Sequence, residues 1–160
     1  MITFGSEVNL IGDGKKFKQK VLKTDIYHDF NKMIKEAERI KDFCEPLSSS
    51  YSSLKKIVGN LHTSGLTALG PGLIAAVEIA SHGAIGSKVI LCTDGEANVG
   101  IGGSHDESFY TKMATVAKKK RVMVNILSLK GDNCNLKFLG KLSLATGGSL
   151  LKIDPKALGT

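Results

Sequence analysis

A short hydrophobic segment that leads into a carboxylate is the feature that most constrains how this chain can fold. Val89–Cys92 is a continuous apolar run, and Thr93-Asp94-Gly95 completes it. Such a run is typical of a strand in a parallel sheet that is covered on both faces. Upstream, Thr67 lies in a glycine-flanked loop just before an apolar helical segment, Pro71–Ser81. Open α/β sheets bind ligands beyond the carboxyl ends of their strands, so we predict a ligand site that contains Thr67 and Asp94.

Helical and extended patterns alternate along the 160 residues, which predicts a single α/β domain over residues 1–160. Apolar residues at helical spacing predict an amphipathic helix over Asp29–Phe43 that Pro46 ends. A second helix begins at Ser48–Ser50, and its predicted inward residues are Leu54, Ile57, Val58 and Leu61. Helix Pro71–Ser81 is predicted to close at His82-Gly83, with Gly83 in a left-handed turn.

The other segments complete this pattern. The predicted strands are Met1–Phe4, Glu7–Ile11 as a returning antiparallel edge, Lys16–Leu22 as a further edge, Val122–Leu129 and Leu150–Ile153. Two more helices are predicted around Phe109–Ala117 and Leu136–Ala145. Because βαβ units close in a right-handed sense, we predict a doubly wound, mostly parallel, Rossmann-like sheet with helices on both faces.

Two loops resemble parts of a known metal site. Thr67 follows glycines, and Thr93-Asp94-Gly95 stands at the end of a strand. They resemble the second and third loops of the metal-ion-dependent adhesion site (MIDAS) of von Willebrand factor type A (vWA) domains, and the resemblance covers nearly the whole chain. Thr67–Pro71 and Cys92–Gly100 are most similar to the intracellular branch found with circularly permuted Ras-like GTPases. The resemblance predicts the vWA fold and a module that binds proteins without catalysis.

The resemblance also implies roles for individual residues. In the family, the threonine that matches Thr67 binds Mg²⁺ directly, and the aspartate that matches Asp94 acts through water. An acidic residue of the protein partner often completes the coordination shell. The neighbouring residues expected at the rim of this ligand face are Ser64, Gly65, Gly95 and Asn98.

One part of the family pattern is absent. The first MIDAS loop, D-x-S-x-S, has no counterpart after a hydrophobic strand, and the nearest string, Asp106-Glu-Ser108, follows the third loop instead. We therefore expect the chain to begin after the family's first strand, which is central between the second and the fourth. The metal site is then incomplete, so Mg²⁺ binding to this chain alone should be weak or absent. The missing strand should cause strand exchange between chains or marginal stability.

Two other functions compete with this interpretation. A Rossmann-like hydrolase would use Asp94 with a metal, but no second carboxylate or obvious general base accompanies it. Nucleic-acid binding would use the lysines of Lys15–Lys20 and Lys118–Arg121, which contribute to a net charge of +7. No aromatic residues interleave with these lysines as stacking platforms. The pattern therefore favours a solvated edge for the first cluster and a complement to a helix end for the second.

Smaller motifs have simple interpretations. Gly100–Gly103 resembles a phosphate-cradling loop, but it lacks the full G-x-G-x-x-G order, which favours a flexible loop beside the ligand face. His105 and Asp106 favour helix capping over partner contact. Cys92, one of three widely separated cysteines, is predicted to be buried in its strand. This cysteine usage, with no secretory signal and no membrane-spanning run, predicts a cytoplasmic location.

Overall fold

The computed structural model describes residues 1–40, 42–62, 65–93, 97–103, 105–129 and 136–154. The strands are β1 Ile2–Phe4, β2 Val8–Leu10, β3 Lys20–Val21, β4 Lys88–Thr93, β5 Met123–Leu129 and β6 Leu150–Ile153. The helices are α1 Phe30–Glu38, α2 Leu47–Gly59, α3 Leu69–Ala80, α4 Glu107–Lys119 and α5 Leu136–Ala145, with a 3₁₀ turn at Thr24–Ile26 before α1. The mixture of helices with a parallel sheet confirms the α/β class. No helix in these ranges is long and apolar enough to cross a membrane.

The described strands form two separate sheets. In the first, β1, β2 and β3 are antiparallel; in the second, β4, β5 and β6 are parallel. The segment Glu7–Ile11 was expected at an edge, but its strand β2 is central because it pairs with both β1 and β3. The segment Lys16–Leu22 does contribute the edge strand β3, where the exposed Lys20 lies. Lysine on an edge strand discourages pairing with another chain.

One face of β4 is open to solvent. Val89 and Leu91 are buried in the core, whereas Ile90 is 64% exposed and Cys92 is also exposed. The predictions of cover on both faces of this strand and of a buried Cys92 are therefore wrong. The apolar run suggested burial of every residue, but successive side chains of a strand point to opposite faces. The described helices cover the face that carries Val89 and Leu91.

A cavity of about 210 Å³ separates β1 from β4. β1 contributes Ile2 and Phe4 to its lining, β4 contributes Lys88–Leu91, and α3 contributes Gly72, Leu73, Ala76, Ile79 and Ala80. Both strands are edge strands of their sheets, and no described strand lies between them. The side of β4 that faces away from β5 therefore has no strand partner among the described residues.

The helix between Asp29 and Pro46 is shorter than its apolar pattern predicts. Asp29 begins it, because its carboxylate accepts hydrogen bonds from the backbone N–H groups of Asn31 and Lys32, each at 3.0 Å. The helix ends at Glu38, whereas Phe43 packs its ring edge-on at 4.9 Å from the ring of Phe17. Phe43 is buried, and it reaches the core from a non-helical segment.

Two further helix predictions are partly wrong. In α2, Leu54 and Ile57 are half-buried as expected, but Val58 and Leu61 are exposed. After α3, the left-handed residue is Gly86 with φ of +84°, and Gly83 has no positive φ. Helical periodicity identifies residues on one side of a helix, but it does not say how far the neighbouring structure extends over that side.

Tyr27 joins the first sheet to the segment that leads into α1. Its side chain is buried, and its hydroxyl accepts a hydrogen bond from the N–H of Val8 at 2.6 Å. The same hydroxyl donates to the carbonyl of Leu22 at 3.2 Å. Burial raises the pKa of Tyr27, so the phenol remains a neutral donor at physiological pH. One hydroxyl thus satisfies two backbone groups in the interior.

We predict that Tyr27→Phe lowers the free energy of unfolding by about 1–3 kcal/mol, because the variant leaves a buried N–H and a buried carbonyl without their partner. Urea unfolding monitored by circular dichroism measures the change. Tyr51→Phe is the matched control, since Tyr51 is exposed on α2 and its substitution should have little effect. An equal loss of stability in both variants would show that the Tyr27 hydroxyl has no special role.

Candidate functional site

Three loops meet at the carboxyl ends of β1 and β4. After β1, the carbonyl of Gly5 accepts a hydrogen bond from the N–H of Ala68 at 2.7 Å. The hydroxyl of Ser6 accepts from the N–H of Leu66 at 3.3 Å. After β4, the side-chain oxygen of Asn98 accepts from the N–H of Thr67 at 2.7 Å. We call the surface formed by Ser6, Thr67 and Asn98 the rim.

The backbone of Thr67 is fixed, whereas its side chain is available. Its carbonyl accepts hydrogen bonds from the N–H groups of Asn98 and Val99 at 3.1 and 3.2 Å. Within the described part of the chain, the Thr67 hydroxyl makes no hydrogen bond, and the residue is half-buried. A held backbone with an unengaged hydroxyl suits a residue that contacts a ligand.

The structure brings some of the predicted site residues together. Gly65, Thr67 and Asn98 all lie at the rim, and a side chain at Gly65 would meet the hydroxyl of Ser6 at 3.7 Å. Asp94, predicted as a metal ligand through water, lies outside the described residues, as do the predicted rim residues Ser64 and Gly95. Their roles remain predictions.

Sequence reasoning missed Ser6 and Ser128. Ser6 directly follows the turn after β1, and Ser128 is buried near the carboxyl end of β5, in register with Thr93 of β4. The Ser128 hydroxyl lies 3.4 Å from the carbonyl of Leu129, to which it donates. The signal that was present for both serines was their position at the end of a predicted strand, which is where α/β sheets place ligand-binding groups.

The described residues offer few ligands for a cation. They contain no group of three or more His, Cys, Asp or Glu side chains that could hold a metal ion. The rim contributes neutral oxygens, and the side-chain oxygen of Asn98 already accepts the bond from Thr67. Mg²⁺ prefers a nearly octahedral shell of oxygen ligands, several of them often water. The Thr67 hydroxyl alone therefore does not make a closed Mg²⁺ site.

The glycine-rich segment Gly100–Gly103 is a packed turn rather than the flexible loop favoured by its sequence. The N–H of Ile101 donates to the carbonyl of Tyr27 at 3.0 Å, and the carbonyl of Gly102 accepts from the hydroxyl of Tyr110 at 2.8 Å. Gly100 and Gly102 have φ of +74° and +78°. The turn needs glycines at these two positions for its backbone conformation. The N–H of Ile101 is already bonded to Tyr27, so Ile101 cannot offer it to a phosphate.

Two other sequence motifs have structural roles near this face. Asp106 begins α4, since its carboxylate accepts from the N–H of Phe109 at 3.0 Å, which confirms the capping prediction. A hydrogen bond from the Ser108 hydroxyl lowers the pKa of the Asp106 carboxyl below its usual range. Lys118 and Lys119 lie in the last turn of α4, where the sequence placed them as complements to the helix dipole.

Cys92 is exposed beside the apolar residues of β4, so solvent can reach this residue. Partial burial of the thiol nevertheless raises the pKa of Cys92. A raised pKa reduces the thiolate fraction at neutral pH, and the thiolate is the nucleophilic form.

Comparisons with known proteins support the fold. No family model matches the sequence. Over 166 aligned residues the chain is 31% identical to circularly permutated Ras protein 1 of Dictyostelium discoideum, a match that covers 99% of this chain and 20% of that protein. The structure is similar to the human COPII-coat protein Sec24c with a TM-score of 0.71, at 14% identity, over 96% of this chain and 23% of the Sec24c chain. The chain thus spans about a fifth of its Dictyostelium relative.

We predict that Gly100→Ala lowers the free energy of unfolding by about 2–4 kcal/mol. An alanine side chain would suffer the cost of a positive φ and would lie 2.8 Å from Pro71 and from the carbonyl of Tyr27. Gly103→Ala is the matched control in the same loop, because its nearest neighbour would be 3.8 Å away. Chemical denaturation of both variants measures the difference. Equal stabilities would contradict the packed turn.

Proposed function

We propose that this chain is a protein–protein interaction module of the vWA type and that the rim is its binding edge. The observation that carries this proposal is the rim itself. Three loops are hydrogen-bonded into one surface at the carboxyl end of β4, and the Thr67 hydroxyl on that surface is unengaged among the described residues. Ligands of α/β sheets bind at this end of the strands.

The comparisons support the proposal at the level of the fold. The similarity to Sec24c extends over 96% of this chain. The Dictyostelium relative is itself named circularly permutated Ras protein 1, and the sequence resembles the vWA branch found with such proteins. Both proteins are several times longer than this chain, which suits a module within a larger, cytoplasmic protein. In this proposal, the two sheets are parts of one doubly wound vWA sheet.

A metal ion has a defined place in this proposal. Thr67 and Asp94 would hold Mg²⁺, and the bound ion would supply a positive centre for an acidic residue of the protein partner. The rim residues Ser6 and Asn98 would position the loop that carries Thr67, through the hydrogen bonds described above. With the first MIDAS loop absent from the sequence, the site in this chain alone is incomplete. We propose no catalytic activity.

We predict that Mg²⁺ or Mn²⁺ binds this chain with a dissociation constant on the order of millimolar or weaker, because few protein ligands are available. Backbone amide NMR measures binding by shifts with Mg²⁺ and by paramagnetic broadening with Mn²⁺. The affected amides should be those of Thr67, Asn98 and their neighbours, and the effect should be lost in Asp94→Ala and in the nearly isosteric Thr67→Val.

Three results would change this proposal. A micromolar dissociation constant by calorimetry would show that the site is complete without its first loop. Broadening that is unchanged in both variants would place the metal elsewhere on the chain. Turnover of a phosphoester that is lost in Asp94→Ala would favour the alternative function, a metal-assisted hydrolase.

We predict that the open edges of β1 and β4 cause strand exchange between chains at high concentration or, failing that, marginal stability. Unpaired strand edges are templates for pairing with another chain. Size-exclusion chromatography with light scattering, over a range of protein concentrations, measures association, and thermal unfolding measures stability. A monomer at all concentrations that unfolds only at high temperature would show that the gap costs the fold little.

A further inference from the structure

Helix α2 carries a row of large apolar side chains that the fold leaves in solvent. Leu47, Tyr51 and Val58 are 66%, 57% and 54% exposed. They follow one another at intervals of four and seven residues, so they lie on the same side of the helix. Leu61, just beyond the end of α2, continues the row and is also exposed. We call these four residues the α2 stripe.

The α2 stripe is not needed to attach the helix to the protein. The flank of α2 that carries Ser50 and Ile57 does this, because Ser50 is buried and Ile57 packs against Gly14. Leu54 lies on the stripe side between Tyr51 and Val58 and is half-buried against the same glycine. A Cβ atom at Gly14 would lie 2.8 Å from Ile57 and 3.3 Å from Leu54. The helix is therefore held in place while the α2 stripe remains exposed. An exposed row of this kind marks an interaction surface.

Positive charge lies beside the α2 stripe. Residues 47–62 include Lys55 and Lys56 and no acidic residue, and both lysines are exposed. The ammonium group of Lys55 lies 6.0 Å from the centre of the Tyr51 ring, which places a charge directly beside the α2 stripe.

The loop that packs against α2 adds more lysines. Lys15, Lys16 and Lys18 follow Gly14 and are exposed. The carboxylate of Asp13 is buried, accepts hydrogen bonds from the backbone N–H groups of residues 15–17, and contributes one negative charge against these three positive charges. The ammonium of Lys16 pairs with Glu45 at 2.8 Å. Lys15, Lys18, Lys55 and Lys56 have no ion pair within the described residues.

We propose that the α2 stripe and the lysines Lys15, Lys18 and Lys55 form a binding surface for an anionic phospholipid bilayer. Lys56 lies nine residues after Leu47, on the opposite side of α2, and is not part of this surface. The apolar side chains enter the boundary between headgroups and acyl chains, and the lysines contact the headgroup phosphates. A helix lying in the plane of a membrane has this combination of bulky apolar residues on one side and lysines beside them. The surface uses no rim residue, so it goes beyond the proposed function.

The chemistry favours a bilayer over a nucleic acid. Nucleic acids bind lysines through their phosphates, and single strands also stack on aromatic rings, but neither use accounts for exposed Leu47, Val58 and Leu61. A bilayer accounts for both the charge and the apolar side chains. The cytoplasmic face of membranes is anionic, and each lysine near it strengthens binding about fivefold.

Sedimentation with vesicles tests the proposal. The probe is large phosphatidylcholine vesicles with about one third phosphatidylserine, compared with phosphatidylcholine alone. We expect the chain to bind the anionic vesicles and to bind them less as salt concentration rises. Lys15→Gln with Lys55→Gln should lower the partition coefficient about 25-fold. The matched control is Lys118→Gln with Lys119→Gln, which removes the same charge from the exposed end of α4 and should change binding little.

A second pair of variants tests the apolar contribution. Leu47→Ser with Val58→Ser should lower binding by at least about tenfold, since each change removes an apolar side chain from the bilayer boundary. The control is Ile85→Ser with Leu144→Ser, two side chains that are exposed on other surfaces. Circular dichroism confirms that all four double variants remain folded, as expected for changes at exposed positions.

A fluorescent reporter tests insertion directly. The chain contains no tryptophan, so Tyr51→Trp introduces a single one within the α2 stripe. We expect its emission to shift to the blue on addition of anionic vesicles and to be quenched by brominated lipids. Leu144→Trp, on the exposed side of α5, should show neither effect.

Four results would overturn the proposal. These are no sedimentation with anionic vesicles at low salt, equal loss of binding in the Lys15/Lys55 variant and the α4 lysine variant, no effect of Leu47→Ser with Val58→Ser, and no change in the emission of the Tyr51→Trp variant. Binding of duplex DNA that depends on Lys15 and Lys55 but not on Leu47 and Val58, without vesicle binding, would identify the surface as one for nucleic acid.

Discussion

Two polar groups of Tyr27, its buried hydroxyl and its backbone carbonyl, join the first sheet to the turn beside the rim. The hydroxyl bonds the N–H of Val8 and the carbonyl of Leu22, while the carbonyl of the same residue accepts from Ile101. The turn that begins at Gly100 is thereby fixed to the core, and Asn98, two residues earlier, reaches the backbone of Thr67. Because each contact is to a backbone group in or near the interior, a change at Tyr27 should be transmitted to the rim.

The gap between β1 and β4 limits how rigid that arrangement can be. The loops of the rim are joined by hydrogen bonds between Gly5 and Ala68, Ser6 and Leu66, and Thr67 and Asn98. No described strand joins the two sheets beneath them, and a cavity of about 210 Å³ lies there instead. The rim contacts and the packing of α3 against both strands thus hold β1 and β4 together. Within a continuous sheet, backbone hydrogen bonds between neighbouring strands have this role.

The sequence predicted local features such as helix caps well, but it did not predict how deeply individual side chains are buried. The caps Asp29 and Asp106 were predictable because a carboxylate before a helix satisfies backbone N–H groups whatever surrounds it. The vWA resemblance predicted Thr67 and Asn98 on the same ligand face, but the sequence did not predict the hydrogen bond between them. The exposure of Ile90 and Val58 was not predictable, because their burial depends on segments that would have to lie over them. Ser6 was missed because nothing in its own neighbourhood, apart from the end of a strand, distinguishes it.

The two proposed surfaces rely on different forces and are therefore separable. The rim residues Ser6, Thr67 and Asn98 are neutral, so an acidic partner would be attracted there chiefly through a cation that Thr67 helps to bind. The lysines near α2 act without a metal, as diffuse charges that salt screens over about 10 Å at moderate ionic strength. Coordination at short range is much less sensitive to salt. A chelator should thus weaken contacts at the rim alone, whereas added salt should weaken chiefly contacts at α2. The two proposals together imply that one chain would hold a protein partner and a membrane through contacts that can be adjusted independently.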